Sequence, residues 1–298
     1  MEIFTPGKYK AAKIVRLKKS EISRLDFALC EHPTETLKHF YDRQNRKPDL
    51  LMNGGFFCMA DGETCFTYMD EKKMTSFDPT RVMGIGIVDD RNLVYGRITN
   101  RTDYRDFISA YPVLIEHGKA VPITDAKEVD GNARRSILAY DNSYIYMIAV
   151  ELPGMKFAEC QQMLLDLKVE YGIGLDGGGS TKILHKGKSI TSVLHNRKVD
   201  NVIAVYLKDT DETPAPEEPR TIYRIQVGAF SKIDNANAFG DLIRKLPDKI
   251  GANYAGAYVR QIGGLYKVQV GAYSFRENAV NVVADLSKYG FNAFITTT

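Results

Sequence analysis

Residues 175–181 read LDGGGST and combine a carboxylate, three consecutive glycines and two hydroxyls. Glycine weakens regular structure, so three in a row indicate a tight turn or a backbone that another group approaches closely. In such a turn the N–H groups of residues 177–179 and the Ser180 hydroxyl form a nest that favours a negatively charged oxygen. The adjacent Asp176 carboxylate is suited to act as a base, a nucleophile or a stabiliser of positive charge.

Two nucleotide-binding interpretations of this glycine run fail on context. Residues 172–177 match G-x-G-x-x-G, but the dinucleotide fingerprint must open a helix, whereas residues 181–190 are predicted to form strand, turn and strand. Residues 174–179 match the GxxxxG of a phosphate-binding loop, but Ser180 stands where that loop requires lysine. A structural turn without a chemical role remains the alternative to the anion nest.

Three further clusters place polar groups near predicted strand ends. Residues 53–55 read Asn-Gly-Gly, which taken alone predicts a hairpin turn. Arg134 and Arg135 begin a predicted strand and point to its opposite faces, so at most one of them reaches a shared pocket. Arg197 and Asn201 lie next to the last apolar strand of this region.

The elements that position these clusters are predicted to be mainly β-strands. Residues 143–151 and 201–207 are unbroken apolar runs typical of central strands. Residues 155–167 carry apolar side chains at helical spacing and predict the one clear helix of the region. Residues 1–49 are predicted to complete the same domain with a strand pair, or with a strand and a short helix.

A linker divides the chain. Residues 208–220 contain three prolines, five acidic residues and no large aliphatic side chain, so they cannot bury enough surface to fold. The predicted domains are therefore residues 1–207 and 221–298. In the second domain YRIQVGAFS at 223–231 returns as YKVQVGAYS at 266–274, a shift of 43 residues.

Each repeat predicts a strand, a helix and a strand. Two repeats give a β-α-β-β-α-β sheet with both helices on one face, so the whole chain is predicted to be α+β. Gln226 and Gln269 alternate with apolar neighbours and face away from the helices. A solvated polar face is one interpretation, whereas Gly228 and Gly271 beside the glutamines favour a ligand that lies close to the sheet.

The doubled VQVGAF pattern resembles the SPOR domain over residues 221–298. The resemblance implies a small ferredoxin-like or RNP-like fold that binds peptidoglycan, particularly glycan strands without stem peptides. It assigns five residues to the glycan-binding face: Gln226, Ala229, Leu265, Lys267 and Gln269.

The order and spacing of the clusters in residues 50–207 resemble the phosphodiester glycosidase family, which includes the uncovering enzyme. LDGGGS is the most specific shared segment, with NGGFF, RRSIL and RKVDN as supporting matches. The resemblance implies a mainly-β domain that cleaves a sugar C1–O bond whose leaving group is a phosphate ester. It aligns the following residues with the family pattern: Asn53, Gly54, Gly55, Arg135, Asp176, Gly177, Gly178, Gly179, Ser180, Arg197 and Asn201.

The resemblance also implies roles for these residues. Asp176 acts at the anomeric carbon, while Arg135 and Arg197 neutralise the phosphate, for which the planar guanidinium is suited. Asn53 completes the catalytic set, and the other aligned residues bind substrate. Glu151, at the end of a central strand, is the candidate for a second carboxylate. No cofactor is expected, and no ligand spacing predicts a metal site.

Composition limits the function classes. The net charge of +3 gives no argument for nucleic-acid binding, and no segment is long and apolar enough to span a membrane. The N-terminus lacks the apolar stretch of a signal peptide, which predicts synthesis in the cytoplasm. Four cysteines without paired metal-ligand spacing predict free thiols rather than a disulfide, although Cys58 and Cys65 are close enough in sequence to pair.

A glycan-binding domain joined to a glycosidase predicts action on the bacterial cell wall, with peptidoglycan glycan strands and a wall-linked glycopolymer as partners. The leading hypothesis is cleavage of a sugar-1-phosphodiester linked to peptidoglycan or teichoic acid. One alternative is a glycan-strand hydrolase resembling a bacteriophage endolysin, which a holin or another export route would bring to the wall. The other is a non-catalytic wall-binding protein of division or sporulation.

Overall fold

The computed structural model describes residues 1–31, 34–58, 67–71, 73–77, 82–98, 104–123, 131–192, 196–208, 223–246, 257–273 and 276–297. The chain forms two compact units, Met1–Asp211 and Glu212–Thr298. The predicted α+β class is confirmed, since the first unit is mainly antiparallel strands and the second is a small sheet with two helices. No helix among these residues is long and apolar enough to cross a membrane.

The first unit contains three antiparallel sheets, numbered here 1 to 3. In spatial order, the strands of sheet 1 are β1 (Glu2–Phe4), β2 (Ala12–Lys18), β13 (Tyr144–Met155), β12 (Ala133–Tyr140), β14 (Tyr171–Gly174), β10 (Val113–Glu116) and β11 (Lys119–Ala120). Those of sheet 2 are β16 (Lys188–Ser189), β15 (Ile183–His185), β4 (Leu50–Asn53), β17 (Asn201–Leu207) and β3 (Ile22–Leu29). Those of sheet 3 are β6 (Lys73–Ser76), β5 (Tyr68–Asp70), β9 (Asp106–Ser109), β7 (Met83–Ile87) and β8 (Leu93–Arg97).

One hydrophobic core joins the inner faces of the three sheets. Successive side chains of β12 point alternately to the inner and outer faces of sheet 1. Leu138 packs into this shared core, whereas Ile137 and Ala139 face outward and pack with helix α2 (Phe157–Asp166). Helix α1 (Leu37–Arg43) covers the outer face of sheet 2. The clusters under α1 and α2 lie on the outer faces of sheets 2 and 1, and the shared core lies between the inner faces of these sheets.

The N-terminal residues contribute one strand to each of the two main sheets. Strand β2 pairs with β13 over seven positions in sheet 1, and β3 pairs with the whole of β17 in sheet 2. Ile14, Val15, Leu25 and Phe27 of these strands are buried. The core of the first unit therefore requires residues at the very beginning of the sequence.

The second unit has the predicted β-α-β-β-α-β order. Its elements are β18 (Tyr223–Phe230), α3 (Ile233–Arg244), β19 (Ala257–Ile262), β20 (Leu265–Tyr273), α4 (Arg276–Lys288) and β21 (Phe294–Thr297), and the strands lie in the order β19-β20-β18-β21. Both helices pack on the face that carries Ile225 and Val268. The opposite face is called here the open face.

The cysteines in the described part of the chain, Cys30, Cys58 and Cys160, are free thiols. Cys160 lies in the cluster under α2, and burial raises its pKa to about 12. It is therefore a packing residue with little thiolate character. Cys65 lies outside the described residues, so its predicted thiol state remains a prediction.

Candidate active site

Asp176 lies where sheets 1 and 2 are tied together. Strand β14 runs between β12 and β10 and ends two residues before Asp176. The Asp176 N–H donates to the Gly54 carbonyl at 3.2 Å, and the Asn53 side-chain amide donates to the Asp176 carbonyl at 2.6 Å. The glycine run therefore crosses from the end of a central strand of sheet 1 to the end of β4 in sheet 2.

Asn53 holds the backbone of Asp176, and its predicted catalytic role stays a prediction. Its side chain is fully buried, and its carbonyl oxygen accepts from the Ser136 hydroxyl at 2.9 Å and from the Lys182 N–H at 3.1 Å. With the bond from its amide to Asp176, both ends of the side chain have partners within the protein. The structure thus joins β4, β12 and the segment after the glycine run through one amide.

We expect Asn53→Ala to lower the free energy of unfolding by about 2–4 kcal/mol, because it leaves several buried polar groups without partners. Differential scanning calorimetry of the full chain measures the change. Asn142→Ala, which removes an exposed hydrogen bond to Glu170, is the matched control and should change stability by less than about 0.5 kcal/mol. Equal effects of the two substitutions would contradict the positioning role.

The Asp176 carboxyl is in an environment that disfavours its charge. Burial raises its pKa, while the Ser180 hydroxyl, the Arg197 guanidinium and the Gly177 N–H each act in the opposite direction. One N–H of the predicted anion nest is thus directed to the protein's own carboxylate. A carboxyl whose pKa is raised and which lies next to a cation is typical of a catalytic site.

The glycine run makes room for Arg197. Residues Gly178–Ser180 form a single 3-10 turn, and Gly178 has a φ of 58°, which side chains with a Cβ rarely adopt. A Cβ atom on Gly179 would lie 2.8 Å from the Arg197 Cζ atom. The third glycine is needed because the guanidinium occupies the position that its side chain would fill.

The structure places the Arg135 side chain on the α2 face of β12, and its predicted catalytic role stays a prediction. Its guanidinium lies 3.9 Å from the Phe157 ring centroid and donates to the Gly131 carbonyl at 2.9 Å, on the face of β12 that carries α2. Arg134 lies instead on the face of Ser136, is 6% exposed, and donates to the Thr181 carbonyl at 2.7 Å. Alternation along the strand, with a bulge between Ala133 and Arg135, separates the two guanidinium groups.

Glu151 lies on the inner side of β13, close enough to Arg134 for its charge to raise the pKa of that guanidinium, although burial has the larger, lowering effect. Its carboxylate also accepts from the Ser192 N–H. Glu151 is therefore near the cationic side of the site, and its role as a second carboxylate stays a prediction.

Asn201 holds the loop that follows β4. Its side-chain oxygen accepts a hydrogen bond from the Gly55 N–H at 2.7 Å, and its main-chain carbonyl oxygen accepts one from the Gly54 N–H at 3.0 Å. Strand β4 pairs with β15 and β17, so the predicted hairpin at residues 53–55 is wrong: long-range partners decide this turn. Asn201 thus fixes the backbone of Gly54 and Gly55, and the predicted substrate-binding role of these three residues stays a prediction.

Lys182 was not singled out from the sequence. It is 7% exposed, and its ammonium donates to the Asn196 side-chain oxygen at 3.0 Å, one residue before Arg197. Burial and the nearby Arg134 charge lower its pKa. A lysine that directly follows GGGST and precedes an apolar strand was the available signal.

One cluster among the described residues has metal-ligand atoms in proximity. Single ligand atoms of Glu31, Glu35 and His39 lie within 4.8 Å of one another. Glu35 is nearly fully buried and already forms an ion pair with Arg43, and its other oxygen lies 2.7 Å from His39 Nδ1. This ion-pair cluster fastens α1 to sheet 2.

The open face of the second unit carries a row of side chains across all four strands. Register places Tyr258 opposite Gln269, Gln269 opposite Gln226, and Gln226 opposite Phe294. The side-chain oxygens of both glutamines are buried and have no hydrogen-bond partner among the described residues. Two amide oxygens that lack hydrogen-bond partners, placed between two aromatic rings, are suited to a ligand with polar edges and flat faces.

The other predicted glycan-binding residues share this face. Ala229 and Leu265 are exposed, and Lys267 pairs across the sheet with both Ala229 and Arg260. The interpretation of Gly228 is wrong, because a Cβ there would lie 2.8 Å from the Phe230 ring and 3.2 Å from that of Phe239 on α3. This glycine makes room for packed aromatic rings and not for a ligand.

Family models match both units. One described as phosphodiester glycosidase matches residues 47–206, more than half of the 298 residues, and one described as SPOR domain matches residues 219–297. The chain belongs to the phosphodiester glycosidase family. Its C-terminal unit is a SPOR domain. None of the curated protein sequences compared with the chain matches it.

Solved structures share the fold of the first unit. The catalytic domain of zebrafish N-acetylglucosamine-1-phosphodiester alpha-N-acetylglucosaminidase, auto-inhibited by its pro-peptide, is 18% identical, with a TM-score of 0.56 over 70% of this chain and 81% of that chain. A hypothetical protein from Synechocystis is 15% identical, with a TM-score of 0.54 over 66% of this chain and 59% of that chain. At these identities the likeness concerns the fold.

Proposed function

We propose that this phosphodiester glycosidase hydrolyses a sugar-1-phosphodiester that is linked to peptidoglycan or teichoic acid at the bacterial cell wall. One observation carries the proposal: a partly buried carboxyl, Asp176, lies near the Arg197 guanidinium at a turn built from three glycines. A carboxylate acts on a developing cation at C1, and a guanidinium binds the departing phosphate.

The reaction that fits this arrangement breaks the C1–O bond and adds water. The C1–O electron pair leaves with the phosphate oxygen, the water oxygen bonds to C1, and the products are a free sugar and a phosphate monoester. The phosphate monoester that leaves is a weak base, so neutralisation of its charge matters more than protonation. The ionised Asp176 carboxylate stabilises the positive charge that develops at the anomeric carbon, and the Arg197 guanidinium neutralises the charge of the phosphate.

The SPOR domain supports the choice of substrate. Its open face carries Gln226 and Gln269, whose side-chain oxygens have no hydrogen-bond partner among the described residues, between Tyr258 and Phe294, and this combination of amides and rings is suited to a glycan. Binding the polymer with one unit raises the effective concentration of nearby scissile bonds for the other unit without a new contact. A common wall polymer as substrate and ligand accounts for the pairing of the two domains in one chain.

The test is to incubate the full chain with bacterial walls that contain or lack teichoic acid, and to identify the soluble products by mass spectrometry. Release of a phosphate-bearing polymer, absent with Asp176→Asn, supports the proposal. Release of disaccharide fragments from walls without teichoic acid would assign the enzyme to glycan strands instead. Wall binding without any product would leave a binding protein.

The SPOR domain also gives a prediction about charge. Lys267→Met and Arg260→Met should each weaken binding to purified glycan strands roughly 2- to 5-fold at low salt, because each removes a solvent-accessible cation, half-buried Lys267 or exposed Arg260, from the open face. Binding isotherms at two salt concentrations measure the effect, which should shrink at the higher salt. Lys288→Met on α4, an exposed cation on the helix side, is the matched control. An unchanged affinity in both open-face variants would show that these two cations do not contribute to glycan binding.

A further inference from the structure

Two cations, Arg134 and Lys182, lie beside the glycine run, and neither is in an ion pair within the described part of the chain. Both residues are more than nine-tenths buried. Buried charges in folded proteins are normally paired, because an uncompensated charge away from water is strongly unfavourable. Glu151 is near enough for its charge to act on Arg134, but it forms no ion pair with either residue, so two cations share one nearby carboxylate and carry an excess of positive charge.

Polar atoms next to the two cations also lack partners. The Arg134 Nη1 atom and the Thr181 hydroxyl are buried and have no hydrogen-bond partner in the described part of the chain. The other end of the same guanidinium is fixed, since Nη2 donates to the Thr181 carbonyl at 2.7 Å. Free donors with a fixed orientation are prepared for an acceptor that comes from outside the protein.

The positions of the two cations are set by the same contacts that place Asp176. The Lys182 N–H donates to the Asn53 side-chain oxygen, which also accepts from Ser136, two residues after Arg134 on β12. The amide of Asn53 in turn holds the Asp176 carbonyl. The backbone that carries the two cations is thus part of the same hydrogen-bonded arrangement as the backbone of Asp176.

We propose that Lys182 and Arg134 together bind the phosphate of the substrate, and that Lys182 determines specificity for an anionic leaving group. The inference rests on the proposed function and extends it by naming the group that fills the site. A phosphate supplies the missing counter-charge and enough acceptor oxygens for the Lys182 ammonium, Arg134 Nη1 and the Thr181 hydroxyl together. Arg197 lies against Gly179 of the same glycine run.

The first test measures binding without catalysis. Inorganic phosphate should raise the Tm of the full chain, and its dissociation constant should increase roughly 10- to 100-fold in Lys182→Met, the range of one charge-assisted hydrogen bond. Lys182→Gln is the second variant in case the first does not fold. Lys188→Met, an exposed lysine on β16, is the matched control and should leave phosphate binding unchanged. Equal protection of wild type and both Lys182 variants by phosphate would overturn the proposal.

The second test separates phosphate binding from a structural role. Lys182 also holds Asn196, so a purely structural role predicts equal losses on every substrate. The proposal predicts a loss of kcat/KM on a sugar 1-(methyl phosphate), with a change of less than about threefold on the 4-nitrophenyl glycoside of the same sugar. Equal losses would overturn it. If phosphate binds through Lys182 but the wild type cleaves no phosphodiester, the proposed function fails while the phosphate site stands.

Discussion

Asp176→Asn should reduce turnover of the wall substrate roughly 10²- to 10⁴-fold, the contribution expected of a positioned carboxylate. The substitution keeps the shape and removes the charge, so the main-chain bonds of residue 176 to Gly54 and Asn53 remain. Binding to walls should not change, because the SPOR domain is untouched. Initial rates and wall pull-down of the same preparations measure the two effects.

The same variant should be more stable than wild type near neutral pH. Because burial raises the folded pKa of Asp176 above its ordinary value, the folded state loses stability as pH rises through the interval between the two values. Asparagine does not ionise, so the variant does not lose this stability. A higher Tm is expected at pH 7, with roughly 2–4 °C for each 1 kcal/mol, and the difference should vanish at pH values below the ordinary pKa of aspartate.

Asp42→Asn, at an exposed carboxylate paired with Lys38 on α1, is the control for both measurements. It should keep full turnover and show no gain in Tm at neutral pH. In wild type, activity should fall as pH decreases through the raised pKa of Asp176, since the ionised form acts at C1. A turnover of Asp176→Asn within a few-fold of wild type would place the catalytic carboxylate elsewhere.

Arg134→Met should reduce kcat/KM on a sugar-1-phosphodiester roughly 10²- to 10³-fold, the usual cost of losing one pre-oriented donor. Arg135→Met should retain activity within about threefold and instead lose some stability, because its guanidinium packs on Phe157. Steady-state kinetics and calorimetry of the two variants separate the roles. The comparison is well matched, since the residues are neighbours on one strand and differ in the face they occupy.

The reverse result would support the assignment made from the family pattern. A large loss with Arg135→Met and a small one with Arg134→Met would mean that the outer face of β12 takes part in catalysis. Thermal unfolding of each variant must accompany the kinetics, so that a loss of folded protein is not counted as a loss of turnover.

Local patterns in the sequence were sufficient for most of the fold. The runs at 143–151 and 201–207 predicted two central strands, and the helical spacing in 155–167 predicted α2. The doubled VQVGAF segment predicted the order of elements in the SPOR domain. These features depend on neighbours within a few residues, where periodicity and turn chemistry are decisive.

The contacts of Asn53 could not be predicted from the neighbouring sequence. An Asn-Gly pair predicts a hairpin, but here the amide bonds Ser136, 83 positions away, and Asp176, 123 positions away. The strand that continues the sheet is not the next one in sequence. No pattern within residues 50–60 carries that information, because the partners are brought together only when sheets 1 and 2 pack.

By itself, the sequence determined the α+β class, the two families and the position of Asp176, since these depend on short-range spacing and on a glycine run that few structures tolerate. Only the tertiary structure decided which arginine of the pair faces the site and that Lys182 is buried beside it. Strand alternation says that Arg134 and Arg135 point apart, but not which face is covered by a helix. That choice is made by packing, where α2 closes one face of β12 and leaves the other to the glycine run.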